Sequence, residues 1–311
     1  MPKTRHERDQ ESLRRRLETL RLPVSPLRHA GLLIPDRTDP QWERTPETVG
    51  VGPDNRALAV WASRVQPQRR LVTVHDGSRQ PVQSVQLDGC SQPRFVQPLP
   101  GDRILLVRSR NRDGANAEIR TPDGRRERHG DLGDAIGHLL TTPTGAIWAG
   151  YFDEAMAGRG PQTHGLARFT AALEPDWLYP QRPAMPEIFD CYALNLADET
   201  AWTCADTQFH LVSVTGGRPT DHGPAPYRSA HALLTDGTRG ALISGYGPAY
   251  DLVTPFQLDA TAVTPAGQPT RLVLPDGLEV RGARTFCRGP ELHVIIGSSW
   301  YQTDLGLLGR R

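Results

Sequence analysis

The chain has 311 residues, 37% of them hydrophobic, which is ample material for a buried core. Its 36 basic and 35 acidic side chains leave a formal net charge of +1, so neither nucleic acid nor an anionic membrane is expected as a partner. No apolar run approaches the roughly 18 residues that cross a bilayer, and the charged opening M-P-K-T-R-H-E-R-D-Q lacks the apolar region of a secretory signal. The expected location is therefore the cytoplasm.

Residues 7–22 carry Leu13, Leu17 and Leu20 at i, i+4 and i+7, which predicts an amphipathic helix with a narrow apolar stripe, ended by Pro23 and Pro26. Residues 1–26 thus read as helix and linker, and 27–311 as the main domain. Between Lys3 and Arg21 stand seven basic and four acidic side chains. The helix is expected on the outside of the domain with its charged face solvated, or else as a docking helix for a protein partner or a second copy.

H-A-G-L-L-I-P-D then reads as a short apolar strand, and from Thr48 onward a repeat can be followed. Its clearest register is the second strand of each unit, beginning at Ala57, Arg103, Ala146, Thr200, Ala241 and Leu292. These starts recur every 41 to 54 residues without a helical spacer, the period of a β-propeller blade. Gly133 to Phe169 shows one unit: D-A-I-G-H-L-L, a T-P-T-G turn, A-I-W-A-G-Y-F-D-E, a Gly-rich loop and G-L-A-R-F. The fold class expected is all-β, a six-bladed β-propeller with a short N-terminal helix. The sixth unit runs out after W-Y-Q-T-D-L-G-L, leaving an edge strand unpaired. The spare strand around His29 to Pro35 is expected to fill it, closing the ring by a mixed blade.

Cysteines stand at 90, 191, 204 and 287 with no C-x-x-C pair, so no zinc knuckle or redox motif is indicated. A hairpin turning near Ala197 and Asp198 would set Cys191 roughly opposite Cys204, as a bonded or metal-binding pair or as two reduced core thiols.

In such a meander the start of the first strand and the loop after the second lie at one end, the default place for a ligand site. Polar and aromatic residues gather at that end, whereas the opposite turns carry ordinary turn chemistry. The strand starts supply Arg94, Asp134, Asp190, Tyr192, Arg228 and Arg281; the loops supply Tyr151, Asp153, Glu154, Tyr246 and Trp300. With Arg94, Arg228 and Arg281 on one side and Asp134 and Asp190 on the other, the mouth would suit a small polar ligand. An anionic group would meet Arg and a hydroxyl or amine would meet Asp. The alternative is that Asp–Arg pairs tie neighbouring blades together. For chemistry, Asp190 and Asp153, the latter beside Glu154, are candidate acid and base. His138 and His231 fall on first strands as candidate bases or metal ligands, or as packed core residues.

The endings G-Y-F-D, S-G-Y-G and I-G-S-S resemble those of bacterial six-bladed propellers over roughly residues 45 to 305, and the Arg/Ala/Gly/Pro-rich composition looks actinobacterial. In blade number the chain resembles hydrolases of the gluconolactonase and paraoxonase type. That resemblance implies an axial calcium, for which Asp134, Asp190 and Asn195 are the available oxygen donors, with Asn195 out of register for the same end. No metal site is assigned on the residues themselves. No G-x-S-x-G, H-E-x-x-H or P-loop is present, so nucleophile-elbow hydrolases, zincins and P-loop nucleotide hydrolases are not indicated. Two readings remain: an axial small-molecule site, binding or of hydrolase or lyase type, and a non-catalytic scaffold that binds protein.

Overall fold

Turn chemistry fixes where each strand reverses. Left-handed backbone at Asn55 (φ 62°), Asp102 (φ 54°), Gly145 (φ 93°) and Asp198 (φ 51°) lies between the first and second strands of successive units. Tight hairpins need that conformation, and Asn, Asp and Gly adopt it at least cost. The computed structural model describes residues 4–35, 39–111, 114–155, 158–181, 183, 185–205, 208–244, 247–259 and 262–308.

Three four-stranded meanders come first. They are Thr48–Val51 with Ala57–Ala62, Arg70–His75 and Gln83–Leu87; Phe95–Leu99 with Arg103–Val107, Ala117–Arg120 and Arg126–Gly130; and Ile136–Thr141 with Ile147–Tyr151, Leu166–Phe169 and Pro175–Leu178. Cys191–Ala197, Thr200–Ala205, His210–Thr215 and Arg218–Pro224 form a fourth run. Ala230–Thr235, Arg239–Ser244 and Leu252–Leu258 open a six-stranded sheet, and Arg284–Arg288, Glu291–Ile296 and Ser299–Asp304 form the last run. A single parallel bridge from Leu196 to Arg288 joins the fourth and last runs into one eight-stranded sheet.

The first strands touch one another in sequence, and Arg284–Arg288 returns to Thr48–Val51, so they make a closed circuit. The core lies between neighbouring runs, as it must when each sheet has two apolar faces. Leu58 and Val72 meet Val96 and Leu106; Leu105 and Ile119 meet Ile147 and Phe169; Trp148 and Leu166 meet Leu196 and Val212. Trp202 and Leu211 then meet Leu233 and Phe256, Leu234 and Ile243 meet Leu292 and Val294, and Ile295 and Trp300 return to Val49 and Trp61. This is the arrangement of a β-propeller.

The amino-terminal strand, Arg28–Leu32, pairs antiparallel with Ser299–Asp304, His29 opposite Tyr301 and Gly31 opposite Trp300. Just before it, Val24–Pro26 pairs parallel with Thr270–Val273, a contact the sequence does not announce. Leu27 and Leu33 beside these strands are buried.

The helix Arg5–Leu20 begins with a capping box between Thr4 and Glu7. Most of its charged side chains are solvated, but the apolar stripe is not what seats it. Leu13, Leu17 and Leu20 are 61%, 51% and 41% exposed, and a charged residue makes the contact. Arg16 donates to Asp251 Oδ1 at 2.6 Å, Glu279 Oε1 at 2.6 Å and Tyr250 Oη at 3.2 Å, with its guanidinium 4.6 Å above the Tyr250 ring. The reason is the wholly buried Asp251 carboxylate, which needs cations: Arg16 on one side and Arg271 at 3.4 Å on another. Hydrogen bonds from Arg16, Tyr250 and Arg281 hold Glu279 down to about 2.

Candidate functional site

In three successive runs the first strand carries a β-bulge at the same place. Gly137 is the extra residue between Ile136 and His138, Tyr192 between Cys191 and Ala193, and His231 between Ala230 and Ala232. A bulge re-aims the side chain it inserts. All three inserted residues line one cavity of about 560 Å³ on the axis of the circuit. Arg94, His138, Asp153 and Asp190 line it as well, as do Arg284, Phe95, Phe152 and Phe286. It therefore gathers six of the residues singled out from the sequence: Arg94, His138, Asp153, Asp190, Tyr192 and His231.

The His138 ring is held by a 3.1 Å hydrogen bond to Tyr192 O. A carbonyl only accepts, so Nε2 carries the proton and Nδ1 is the basic nitrogen. Burial, helped by the nearby His231, pushes this imidazole down to about 4, so it is neutral at pH 7. Tyr192 packs against Phe209 with the rings tilted, centroids 5.6 Å apart. The Cys191 thiol, pushed up to about 12 chiefly by burial, stays protonated and is no nucleophile.

A buried arginine ties three runs together across the circuit. Arg288, buried at 5% exposure, lies across the axis and donates to Val51 O, to Thr141 O at 2.7 Å and to Gln97 Oε1 at 2.5 Å. Beside it Asn195 Nδ2 donates to Gly289 O and its Oδ1 accepts from Gly289 N, each at 2.8 Å. Gly289, left-handed at φ 54°, allows that tight return.

The remaining expected residues lie elsewhere. Arg110 pairs with Asp134 at 3.6 Å and with Glu154, its guanidinium 4.8 Å over Phe152, so these acids serve as a tie between the second and third runs. Tyr151 is a core residue whose hydroxyl donates to Leu132 O. Trp300 is likewise buried, stacked on His293 and donating to its Nδ1 at 3.3 Å. Arg228 is exposed, 5.8 Å from the Phe209 ring. Arg281 belongs to the helix seat, bonded to Glu279 and lying over Tyr250. Tyr246 falls outside the described residues.

The hairpin of the fourth run turns at Asp198 and Glu199, one residue later than expected. Cys191 stands opposite Ala205 and Cys204 opposite Ala193, so the two thiols are out of step, and all four cysteines are buried with no disulfide among them. Among the described residues no three His, Cys, Asp or Glu side chains converge as a metal needs. Asp134 is bonded to Asn111 N and Arg110, and Asn195 to Gly289, so the oxygens implied for an axial calcium do not meet. The residue that sequence reasoning missed is Arg284. The signal was R-G-A-R-T-F-C-R, where the strand begins at the second arginine of the run rather than at the first.

Buried histidines also give the fold a pH dependence. Burial pushes His75 and His138 down to about 4 and His293 to about 3, against an ordinary value of about 6.5. With the folded values depressed, the unfolded chain takes up protons first as pH falls. Stability from these groups is full above pH 6.5 and is lost progressively towards pH 4. A melting temperature followed from pH 7.5 to 4.5 is expected to drop below about pH 6; a flat profile would contradict the neutral, buried imidazoles.

No protein-family model matches the chain, and no curated protein matches it. Among solved structures it is similar to a gluconolactonase from Xanthomonas campestris, at 16% identity over 91% of this chain and 98% of that one, with a TM-score of 0.44. It is also similar to the β-propeller domain of the Trilobed protease from Pyrococcus furiosus (9% identity, 80% and 79% covered, TM-score 0.45). A third is a putative 6-phosphogluconolactonase from Bacteroides fragilis (12% identity, 80% and 76% covered, TM-score 0.44).

Proposed function

We propose that the chain is a six-bladed β-propeller that binds a small polar molecule in its axial cavity and performs hydrolase-type chemistry on it. The blade count takes the eight-stranded sheet as two blades, because one bridge joins its halves. The observation that carries the function is the cavity itself. It is lined by cationic, acidic, imidazole and aromatic side chains contributed by separate strands. Such a concave, mixed lining is what small-molecule sites share. Within it, a neutral His138 offers Nδ1 as a proton acceptor, with Asp190 and His231 on the same wall to orient a hydroxyl or water. No metal enters the scheme, since the calcium donors do not converge.

The test is a thermal-shift screen of small polar metabolites, lactones and esters included, followed by turnover assays on the binders. A ligand at a hundred times its Kd adds about 2.7 kcal/mol to stability. Tyr192→Ala and Asp190→Asn are expected to remove that gain, and His138→Gln any turnover. A screen in which nothing shifts the melting temperature would overturn the reading. A second reading, a protein-interaction scaffold, draws on the exposed stripe of Leu13, Leu17 and Leu20 on the amino-terminal helix.

A further inference from the structure

We infer that the ligand of the axial cavity carries an anionic head, a carboxylate or a phosphate, gripped by Arg284 and Arg94 where the last run meets the first. The inference rests on the reading of that cavity as a small-molecule site and goes on to name the ligand's class.

Arg284 is built into the wall. Its Nη1 donates to Thr48 Oγ1 at 2.8 Å and its Nη2 to Glu47 O at 3.0 Å. Thr48 is itself fully buried and donates to Arg94 O at 2.7 Å, which locks the group beside Arg94. Both contacts are neutral acceptors and use two of the five N–H groups of the guanidinium, so three remain. The Arg94 side chain has no hydrogen-bond or ion-pair partner among the described residues. Both line the cavity.

This chain does not usually leave arginines so. Arg16 sits on Asp251, Arg70 on Glu47 and Arg120 on Glu118, each at 2.6 to 2.9 Å. Arg288, which has no carboxylate, is saturated with carbonyl oxygens. At the cavity two cations stand close enough for Arg94 to weaken the hold of Arg284 on its proton, an effect second to burial. Two like charges at a half-enclosed wall repel, and one bridging anion would replace that repulsion with charge-assisted hydrogen bonds. A planar fork suits carboxylate and phosphate oxygens alike. The carboxylates of the cavity, Asp153 and Asp190, come from the third run and the start of the fourth, so the anion belongs on the arginine side and the ligand's hydroxyls on the other.

The experiment is calorimetric titration of the full chain at low salt with malate, glycerol phosphate and inorganic phosphate, each set against neutral glycerol and glucose. At least one anion is expected to bind when its neutral counterpart does not; malate against glycerol phosphate separates carboxylate from phosphate. Arg94→Gln, which breaks no internal bond, is expected to weaken binding about ten- to a hundredfold, the worth of a hydrogen bond to a charged group. Arg284→Gln should do the same, its fold checked by circular dichroism. Neutral compounds binding as tightly as anions, or anions binding Arg94→Gln with unchanged affinity, would overturn the inference and leave the cavity reading standing. If neither these probes nor the wider screen bind, both fall.

Discussion

Replacing Arg288 with methionine is expected to lower the melting temperature by roughly 5 to 8 °C, the equivalent of about 3 to 5 kcal/mol in a chain of this size. Methionine keeps most of the apolar stem, so packing changes little. What it removes is the donor for Val51 O, Thr141 O and Gln97 Oε1, three buried acceptors on three different runs. Each stranded acceptor costs about 1 to 3 kcal/mol. Against this, burial disfavours the charged guanidinium, and releasing that penalty brings the net below the sum. Arg288→Lys is expected to fall between, because one ammonium cannot reach all three acceptors at once. Thermal melts of both variants decide the matter, and an unchanged melting temperature would mean that the guanidinium does not hold the circuit together.

Deleting residues 1–33 is expected to have the larger effect, abolishing the cooperative transition or lowering it by well over 10 °C. The deletion strips Ser299–Asp304 of its partner and Thr270–Val273 of its parallel neighbour, so that each becomes the edge of its sheet in place of the strand that covered it. It also removes Leu27 and Leu33, side chains worth about 1.5 to 3 kcal/mol each when fully buried. Deleting only residues 1–21 separates the helix from the strands. That shorter deletion is expected to cost about 1 to 3 kcal/mol, since Asp251 loses Arg16 but keeps Arg271. Were the 1–33 deletion to melt like the full chain, ring closure by the amino terminus would be refuted.

The period of the second strands was legible because those strands are buried on both faces and read as short apolar runs. Ala57, Arg103 and Thr200 each open a strand in the structure, and the others fall within two residues of one. The candidate site was legible in part, for a reason tied to register. Period-two alternation assigns faces only while the strand is regular, and the bulges at Gly137, Tyr192 and His231 shift that count by one. Cys191 and Cys204 miss each other because the hairpin turns one residue later than expected, with Ala197 opposite Thr200, and Tyr151 is core because its strand extends through it rather than ending before it. Arg281 and Arg284 differ by three residues, within the usual uncertainty of a strand's beginning, yet one seats a helix and the other lines the cavity. Helix amphipathicity misled in a different way. Leucine spacing finds an apolar stripe but says nothing of a buried carboxylate such as Asp251 waiting elsewhere for a cation.

The pairing of the first strands with the last also dictates an order of events. On a ribosome, Val24–Pro26 and Arg28–Leu32 emerge early and find no partner until Thr270–Val273 and Ser299–Asp304 have been made. Intermediate runs can form as local hairpins meanwhile, on the microsecond scale. The final pairing must instead close a loop of nearly the whole chain, at an entropic cost on the order of 5 kcal/mol. Until those late strands have been made, the nascent chain carries unsatisfied strands, and the pairing that closes the circuit follows the folding of the runs between them.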